Sequence, residues 1–151
     1  MLLLSFDIGE EKYAIDTNNV IEITPLVNLK TVPGSLHSIC GLLNYHGTSV
    51  PVVDINLLCD KSNKADTLTT RIIIVNYHDK HVIGIKADNV TETLRANEAN
   101  FKSSGIQLKT NNFLGDISEH DNSFLQLVNI DQLLSDDVRN SLFPEDISAL
   151  G

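Results

Sequence analysis

Residues 39–58, ICGLLNYHGTSVPVVDINLL, carry the strongest structural signal in this chain. Two apolar runs lie on either side of a polar turn at residues 44–47. The second run is rich in valine and its side chains alternate between two faces, so the segment predicts a β-hairpin. It contains no nucleophile beside a base, no metal-ligand spacing and no phosphate-binding loop. The pattern therefore favours a protein that presents a surface over one that performs chemistry.

The composition limits the class of protein. A chain of 151 residues buries roughly 68–70% of its unfolded surface, so it needs no disulfide or metal to fold. The formal charge of 11 − 20 = −9 argues against binding to nucleic acid or to anionic membranes. Cys40 and Cys59 lie in apolar surroundings, which predicts free thiols in a reducing compartment. With no long apolar run and no signal-peptide pattern, we expect a cytoplasmic protein without membrane insertion.

Short apolar runs bounded by turn residues predict strands along most of the chain. The predicted strands cover residues 2–8, 12–16, 20–24, 39–44, 50–55, 71–77, 81–87, 90–94, 113–117 and 124–130. Polar residues 60–70 predict a loop. Ser135 is a favourable N-cap for one short helix over residues 136–142. The predicted fold class is therefore mainly β with a short C-terminal helix.

An internal repeat indicates a duplicated unit. With an offset of 85 − 15 = 70, residues 13–22 align with residues 83–92, and the matching pairs are Ile15/Ile85, Asn19/Asn89, Val20/Val90 and Glu22/Glu92. Residues 52–55 also resemble residues 127–130. Two such five-stranded units predict two small barrels, because closure removes exposed sheet edges. We expect one domain over residues 1–151, with a first barrel at roughly 12–60, a second at roughly 70–130, and the chain ends completing them.

Several motifs in order resemble the CheW-like chemotaxis coupling domain. They are Phe6-x-Ile8, Tyr13-Ala14-Ile15-Asp16, Val20-x-Glu22-Ile23, Val32-Pro33-Gly34, the run from Ile39 to Asp54 with Asn44-x-x-Gly47, Gly84-Ile85-x-x-Asp88-x-Val90, and Leu127-Val128-Asn129-Ile130. The resemblance implies two intertwined SH3-like five-stranded β-barrels around a shared apolar core. It also implies a non-enzymatic adaptor that couples chemoreceptors to a CheA-type histidine kinase.

The same resemblance implies the partners and the location. The partners would be the cytoplasmic tip of a chemoreceptor, the regulatory domain of the kinase, and other CheW-like domains, with no cofactor. The protein would work at receptor arrays on the inner face of the membrane. An alternative is a divergent CheW-like paralogue for array localisation or a specialised pathway, such as one serving a pilus. Outside this class, a small β-barrel enzyme or ligand-binding protein stays open, and a deep polar pocket would favour it.

The resemblance assigns eight residues to a receptor-binding surface. Val20 and Glu22 would line a groove between the barrels, Asn44, His46 and Gly47 would form the turn beside it, and Ile85, Asp88 and Val90 would supply the facing wall. Plainer explanations are strand packing for the apolar residues, a solvated face for Glu22, and turn geometry for Asn44 and Gly47. The kinase would contact the barrel ends through residues that the sequence does not identify, and residues 108–114 are a guess.

His46 departs from the family pattern, which usually has arginine at this position in Asn-x-Arg-Gly. Arginine carries a permanent charge and five donors, whereas histidine titrates near neutral pH. If the position contacts the receptor, binding should be weaker, altered in specificity or sensitive to pH.

The candidate chemical groups do not form a site. His78 and His81 should point to opposite faces of a hairpin, and no third metal ligand is near in sequence. Ser35 lies close to His37 but without a nucleophile elbow. Asp54 is better explained as a buried hydrogen-bond acceptor. We therefore expect neither a metal site nor catalysis.

Overall fold

The structure is a computed structural model that describes residues 1–59, 61, 66–103, 105, 113–120 and 123–145. For Thr91, Glu92 and His120 it describes the backbone alone. The described strands are β1 (Leu2–Ile8), β2 (Glu11–Asp16), β3 (Val20–Pro25), β4 (Ile39–Tyr45), β5 (Thr48–Asp54), β6 (Arg71–Tyr77), β7 (His81–Arg95), β8 (Leu114–His120) and β9 (Ser123–Val128). The described α-helices are α1 (Ile55–Leu58) and α2 (Asp136–Leu142).

These strands form two five-stranded units that share the long strand β7. Barrel A has the strand order β7-β1-β2-β9-β8, and barrel B has the order β3-β6-β7-β5-β4. The first part of β7, through Ala87, pairs with β6. Its second part, from Asp88 onward, pairs with β1. A single strand therefore runs through both barrels and joins them.

Both halves of the chain contribute to both barrels: β1 and β2 join the later strands in barrel A, and β6 and the first part of β7 join the earlier strands in barrel B. β3 follows β2 in sequence yet pairs with β6, while the end of β7 pairs with β1. The expected ranges of roughly 12–60 and 70–130, completed by the chain ends, follow the order of the sequence, whereas the strand pairing groups residues 2–16 with 88–128 in barrel A and residues 20–54 with 71–87 in barrel B. Local sequence patterns do not record which distant strands pair, so this pairing was not predictable from them.

The two barrels correspond to each other down to single residue pairs. Equivalent pairs are Ala14–Leu127 and Gly84–Val52 between parallel strands, and Leu2–Arg95 and Arg71–Pro25 between antiparallel strands. Each antiparallel ladder also shifts register beside the repeated glutamate, Glu22 or Glu92. Such agreement in register supports the predicted duplication.

In each barrel, one residue outside the strands forms a backbone bridge to the last strand of the strand order, which is β4 in barrel B and β8 in barrel A. In barrel B the backbone of Lys30 and Leu42 exchanges two hydrogen bonds, of 2.9 and 2.8 Å. In barrel A the backbone of Lys102 and Ile117 does the same, at 2.9 and 2.8 Å. Gly41 permits the first bridge, because a Cβ at this position would lie 2.5 Å from the carbonyl oxygen of Lys30.

The apolar core explains why β6 is almost continuously hydrophobic. Its side chains alternate between two clusters, as expected for a strand that is covered on both faces. Ile73 and Val75 belong to a large cluster that spans both barrels. Ile72 and Ile74 belong to a smaller cluster inside barrel B. The large cluster is the shared apolar core that the family resemblance implied.

Polar N-caps begin three of the helical elements. The hydroxyl oxygen of Ser135 accepts a hydrogen bond from the Val138 amide at 3.4 Å, and this confirms the predicted C-terminal helix. Asp54 caps α1 after β5, and Asn129 caps the equivalent turn after β9. The two barrels therefore use the same capping device at equivalent positions.

Most predicted strands lie where expected, and one connection differs. β1 and β6 have the predicted bounds. Residues 81–87 and 90–94, predicted as two strands, belong to the continuous β7. Asn89 has a φ of 54° at the junction, and the strand continues through it. Within the predicted loop at 60–70, residues 60 and 62–65 lie outside the described part of the chain.

Candidate functional site: the polar turn and the third strand

The β4–β5 turn has a fixed backbone conformation. His46 and Gly47 both have positive φ, 50° and 84°, as a two-residue turn between antiparallel strands requires. The side-chain oxygen of Asn44 accepts a hydrogen bond of 3.0 Å from the Gly47 amide. The turn geometry therefore accounts for Asn44 and Gly47, and it leaves the imidazole of His46 exposed at the tip.

Tyr45 lies beside this turn, at the end of β4. Its ring packs against the smaller core of barrel B and meets the His46 ring edge-on, with centroids 4.4 Å apart. The Glu22 carboxylate raises the pKa of the Tyr45 hydroxyl. Tyr45 was not among the predicted site residues. The signal that could have indicated it is an aromatic residue beside a turn whose neighbours were already candidates.

The third strand combines buried and exposed side chains. Val20 is half-buried and packs against the shared core. Glu22 is exposed, and its neighbours Ile21 and Ile23 are each 41% exposed. Among the described strands, β3 pairs with β6 alone. Glu22 and His46 both lie on barrel B, although the two residues are far apart in sequence.

The predicted facing wall needs correction. Ile85 is 1% exposed and Val90 is 8% exposed, and both belong to the shared core. They lie on opposite sides of the junction in β7, where the strand passes from one barrel to the other and is covered by both. Neither side chain is available to a partner, so packing explains both residues.

Asp88 is engaged within the molecule. Its carboxylate accepts hydrogen bonds from the Asn56 amide group at 3.0 Å and from the Thr70 hydroxyl at 3.1 Å. The next residue, Asn89, donates to the carboxylate of Asp7 on β1 at 2.9 Å. These bonds fasten the junction in β7 to both barrels. A structural role therefore accounts for Asp88.

Asp54 is a buried acceptor, as predicted. It is 4% exposed, and one of its carboxylate oxygens accepts from the amides of Asn56 at 2.9 Å and Leu57 at 3.4 Å. Burial raises the pKa of Asp54, whereas these amides and the nearby Lys86 act in the opposite direction. Lys86 itself forms an ion pair with Asp66 at 2.6 Å.

The histidines of the β6–β7 turn have separate environments. The backbone amide of His78 donates to the carboxylate of Asp131 at 2.9 Å, and the ring of His81 stacks on Phe143 with centroids 3.8 Å apart. Within the described ranges, no group of three or more His, Cys, Asp or Glu residues is placed to hold a metal ion. No described helix is long and apolar enough to cross a membrane.

Two grooves lie at other places on the barrels. One has a volume of about 560 Å³ and lies between barrel B and the end of α2, with Val32, Leu42 and Phe143 in its wall. The other, of about 460 Å³, lies on barrel A and includes Leu94 and the exposed Phe124. Apolar atoms form most of the surface of both grooves. Residues 108–112 of the guessed kinase-contact segment lie outside the described residues.

The two barrels share strand β7, and barrel B presents a polar turn with a fixed backbone conformation. These features define a small domain that presents surfaces for binding. The sequence model of the CheW-like domain matches residues 2–138. The chain therefore belongs to the CheW-like domain family, as its motifs predicted.

Individual relatives agree with this assignment. The chain is 27% identical over 145 residues to the chemotaxis protein CheW of Bacillus subtilis, and the match covers 95% of this chain and 92% of that protein. It is 24% identical over 135 residues to the chemotaxis protein CheW of Helicobacter pylori, covering 89% and 81%.

A solved structure is similar over most of the fold. The crystal structure of the scaffolding protein TtCheW from Thermoanaerobacter tengcongensis matches with a TM-score of 0.82 and 22% sequence identity, covering 91% of this chain and 89% of that chain. The predicted fold class, two SH3-like β-barrels with a short C-terminal helix, is confirmed.

Proposed function

We propose that this protein is an adaptor that couples chemoreceptors to a CheA-type histidine kinase and performs no chemistry itself. The observation that carries the proposal is the family match over residues 2–138, together with names of relatives that describe chemotaxis and scaffolding. A family member of this kind contributes by holding its partners in place. We expect it in the cytoplasm, at receptor arrays on the inner face of the membrane.

We assign the cytoplasmic tip of the receptor to the surface formed by Glu22 and His46, with Val20 beside them. This assignment is supported by His46, which lies on a turn whose backbone is fixed before binding, while Val20 and Glu22 lie on β3 of the same barrel. A preformed turn costs little ordering entropy when a partner docks. Asn44 and Gly47 contribute by shaping this turn, and Asp88 contributes by fastening β7.

We assign the regulatory domain of the kinase, or another CheW-like domain, to the two apolar grooves. The groove on barrel A has the stronger support, because Phe124 is 57% exposed at its edge. A large exposed aromatic residue beside an apolar groove is typical of an anchor for a protein partner. The groove beside α2 offers a second such surface on barrel B.

Co-sedimentation with receptor-containing membranes, with and without the cognate kinase, tests the proposal. An adaptor should pellet with the membranes alone and should increase the amount of kinase in the pellet. Failure to pellet under either condition would contradict the proposal. Empty vesicles of the same lipids serve as the control, because the acidic chain has no expected affinity for anionic lipid.

A second candidate is a paralogue that localises receptor arrays without activating the kinase. The observation that favours it is His46, at a position where the family resemblance expects arginine. Such a paralogue would pellet with receptors and kinase but leave the rate of kinase autophosphorylation unchanged. Measuring that rate in the same pellets distinguishes the two functions.

A further inference from the structure

The groove on barrel A differs in charge from the rest of the molecule. Its wall contains the cations Lys12 and Arg95, and none of the described residues in that wall is aspartate or glutamate. In the whole chain, acidic residues outnumber basic ones by 20 to 11. The groove beside α2 has no such bias, because its wall contains Lys80 together with Glu145. A negatively charged partner segment is therefore favoured at the groove on barrel A.

One wall of this groove is a row of residues across three paired strands. Lys12 on β2 pairs with Leu125 on β9, and Leu125 pairs with Ser118 on β8. Residues paired in this way lie on the same face of a sheet, so Lys12 and Leu125 are neighbours on the surface of barrel A. The exposed Phe124 also lines the groove. This wall therefore combines a cation with apolar side chains.

The other wall consists of residues at the end of β7 and in the turn that follows, and hydrogen bonds tie it to barrel A. Arg95 pairs with β1, and the amide of Ala96 donates to the carbonyl oxygen of Met1 at 2.9 Å. In the turn, the side-chain oxygen of Asn97 accepts a hydrogen bond of 3.0 Å from the amide of Ala99. The backbone that carries Arg95 is thus held in place before a partner binds.

Arg95 is the cation that is available to a partner. It is exposed, and among the described residues its guanidinium has neither an ion pair nor a hydrogen bond. Lys12, in contrast, forms an ion pair of 3.0 Å with Asp7. Glu98 lies near Arg95 in a neighbouring depression, outside the described wall of the groove. A guanidinium matches a carboxylate through two parallel hydrogen bonds, so the complement of Arg95 is an aspartate or glutamate.

We propose that the groove on barrel A docks a segment of the kinase regulatory domain in which a carboxylate lies beside an apolar side chain. The carboxylate binds the guanidinium of Arg95, and the apolar side chain packs against Phe124 inside the groove of about 460 Å³. The acidic remainder of the surface disfavours the same segment elsewhere, so this groove also determines where the partner docks. This inference deepens the proposed function and rests on it.

Binding of the purified regulatory domain of the cognate kinase tests the role of the charge. We expect Arg95→Gln to bind roughly three- to tenfold more weakly than the wild type, and Arg95→Glu to bind more weakly still. The loss should lie in the association rate, and the affinity of Arg95→Gln should depend less on salt concentration than that of the wild type. Lys30→Glu makes the same change of charge at an exposed position of barrel B, outside the described walls of both grooves, and should bind like the wild type.

Phe124→Ala separates the apolar anchor from the charge. It should accelerate dissociation of the regulatory domain and leave the salt dependence of binding unchanged. Binding of a soluble receptor-tip fragment should be the same in Arg95→Gln, Phe124→Ala and the wild type. Thermal melts show that each variant is folded.

Equal binding of the regulatory domain by Arg95→Glu and Lys30→Glu would overturn the inference and leave the proposed function intact. Equal losses of receptor and kinase binding in a folded Arg95→Gln would overturn it too. Self-association of the wild type in sedimentation velocity that Arg95→Glu abolishes would assign the groove to a second copy of this chain, and the inference would be wrong. Absence of regulatory-domain binding by the wild type would contradict the proposed function itself, and this inference with it.

Discussion

His46 occupies a demanding backbone position for its residue type. Its φ of 50° is one that asparagine and glycine adopt more readily than other residues. The neighbouring hydrogen bond from Gly47 to Asn44 keeps the turn in this shape, and the Tyr45 ring contacts the imidazole. The side chain is thus displayed in one place, where its charge state would matter to a partner.

We predict that His46→Arg strengthens receptor binding, because a permanently charged donor makes hydrogen bonds roughly twice as strong as a neutral one. His37→Arg, at an exposed position before β4, adds the same charge elsewhere and serves as the control. Equal affinities of wild type and His46→Arg for a soluble receptor-tip fragment would show that His46 touches no receptor.

We predict that Asp54→Asn changes the pH dependence of folding stability. The pKa of Asp54 is raised in the folded protein, so the folded state binds the proton more tightly than the unfolded chain does. The stability that comes from this proton is present at low pH and disappears as the pH rises through the raised pKa. The free energy of unfolding of the wild type, relative to Asp54→Asn, should therefore fall as the pH rises above the ordinary pKa of 3.8. Urea melts at several pH values measure this difference, and parallel curves would contradict the prediction.

At the scale of elements, β7 joins the two barrels. Its junction is fastened on one side by Asp88, through Asn56 and Thr70, and on the other by Asn89, through Asp7. The side-chain oxygen of Asn56 is buried without a hydrogen-bond partner among the described residues. The side-chain nitrogen of Asn56 donates to Asp88, so this hydrogen bond holds the Asn56 amide in place.

We predict that Asp88→Ala lowers the free energy of unfolding by about 1–3 kcal/mol, because it leaves buried donors without acceptors. Asp116→Ala, which removes an exposed carboxylate from β8, should stay within about 0.5 kcal/mol of the wild type. Urea denaturation of both variants tests the contrast. If Asp88→Ala were as stable as Asp116→Ala but bound receptor poorly, the residue would be a partner contact after all.

Gly84 shows how the duplicated elements have diverged. Its equivalent in barrel A is Ala14, which is buried without difficulty. In barrel B a Cβ at Gly84 would lie 2.9 Å from a methyl of Val52 and 3.0 Å from a methyl of Ile72, both fully buried. We predict that Gly84→Ala costs about 1–3 kcal/mol through overpacking, measured by thermal or urea melts. A neutral result would mean that the β5–β7 contact is looser than the structure shows.

Local sequence patterns predicted the elements far better than their pairing. The apolar runs of β1 and β6 and the Ser135 cap lie where the sequence places them, because they depend on neighbouring residues. The pairing of β3 with β6 joins residues that are far apart in the chain, so it has no local signature in the sequence. The same limit applied to the site: Ile85 and Val90 matched family positions, but only the fold showed that two barrels cover them.

At the scale of the whole molecule, duplication gives two similar barrels with different surfaces. Barrel B carries the rigid turn with Tyr45 and His46, and it also carries the exposed Glu22 on β3. Barrel A instead exposes Phe124 beside an apolar groove. A rigid shared core fixes the separation of these surfaces. Such an arrangement suits a protein that holds two different partners at a set distance.

The most direct test of coupling is the amount of kinase that sediments with receptor-containing membranes as this protein is added. We predict that kinase in the pellet rises with added protein, in step with the adaptor that pellets beside it. Glu22→Gln should shift this rise to higher protein concentrations, and Tyr13→Phe, on barrel A, should not. If the pelleted kinase stayed constant while the protein itself bound the membranes, the protein would be a receptor-binding module without a coupling role, and the central claim would be wrong.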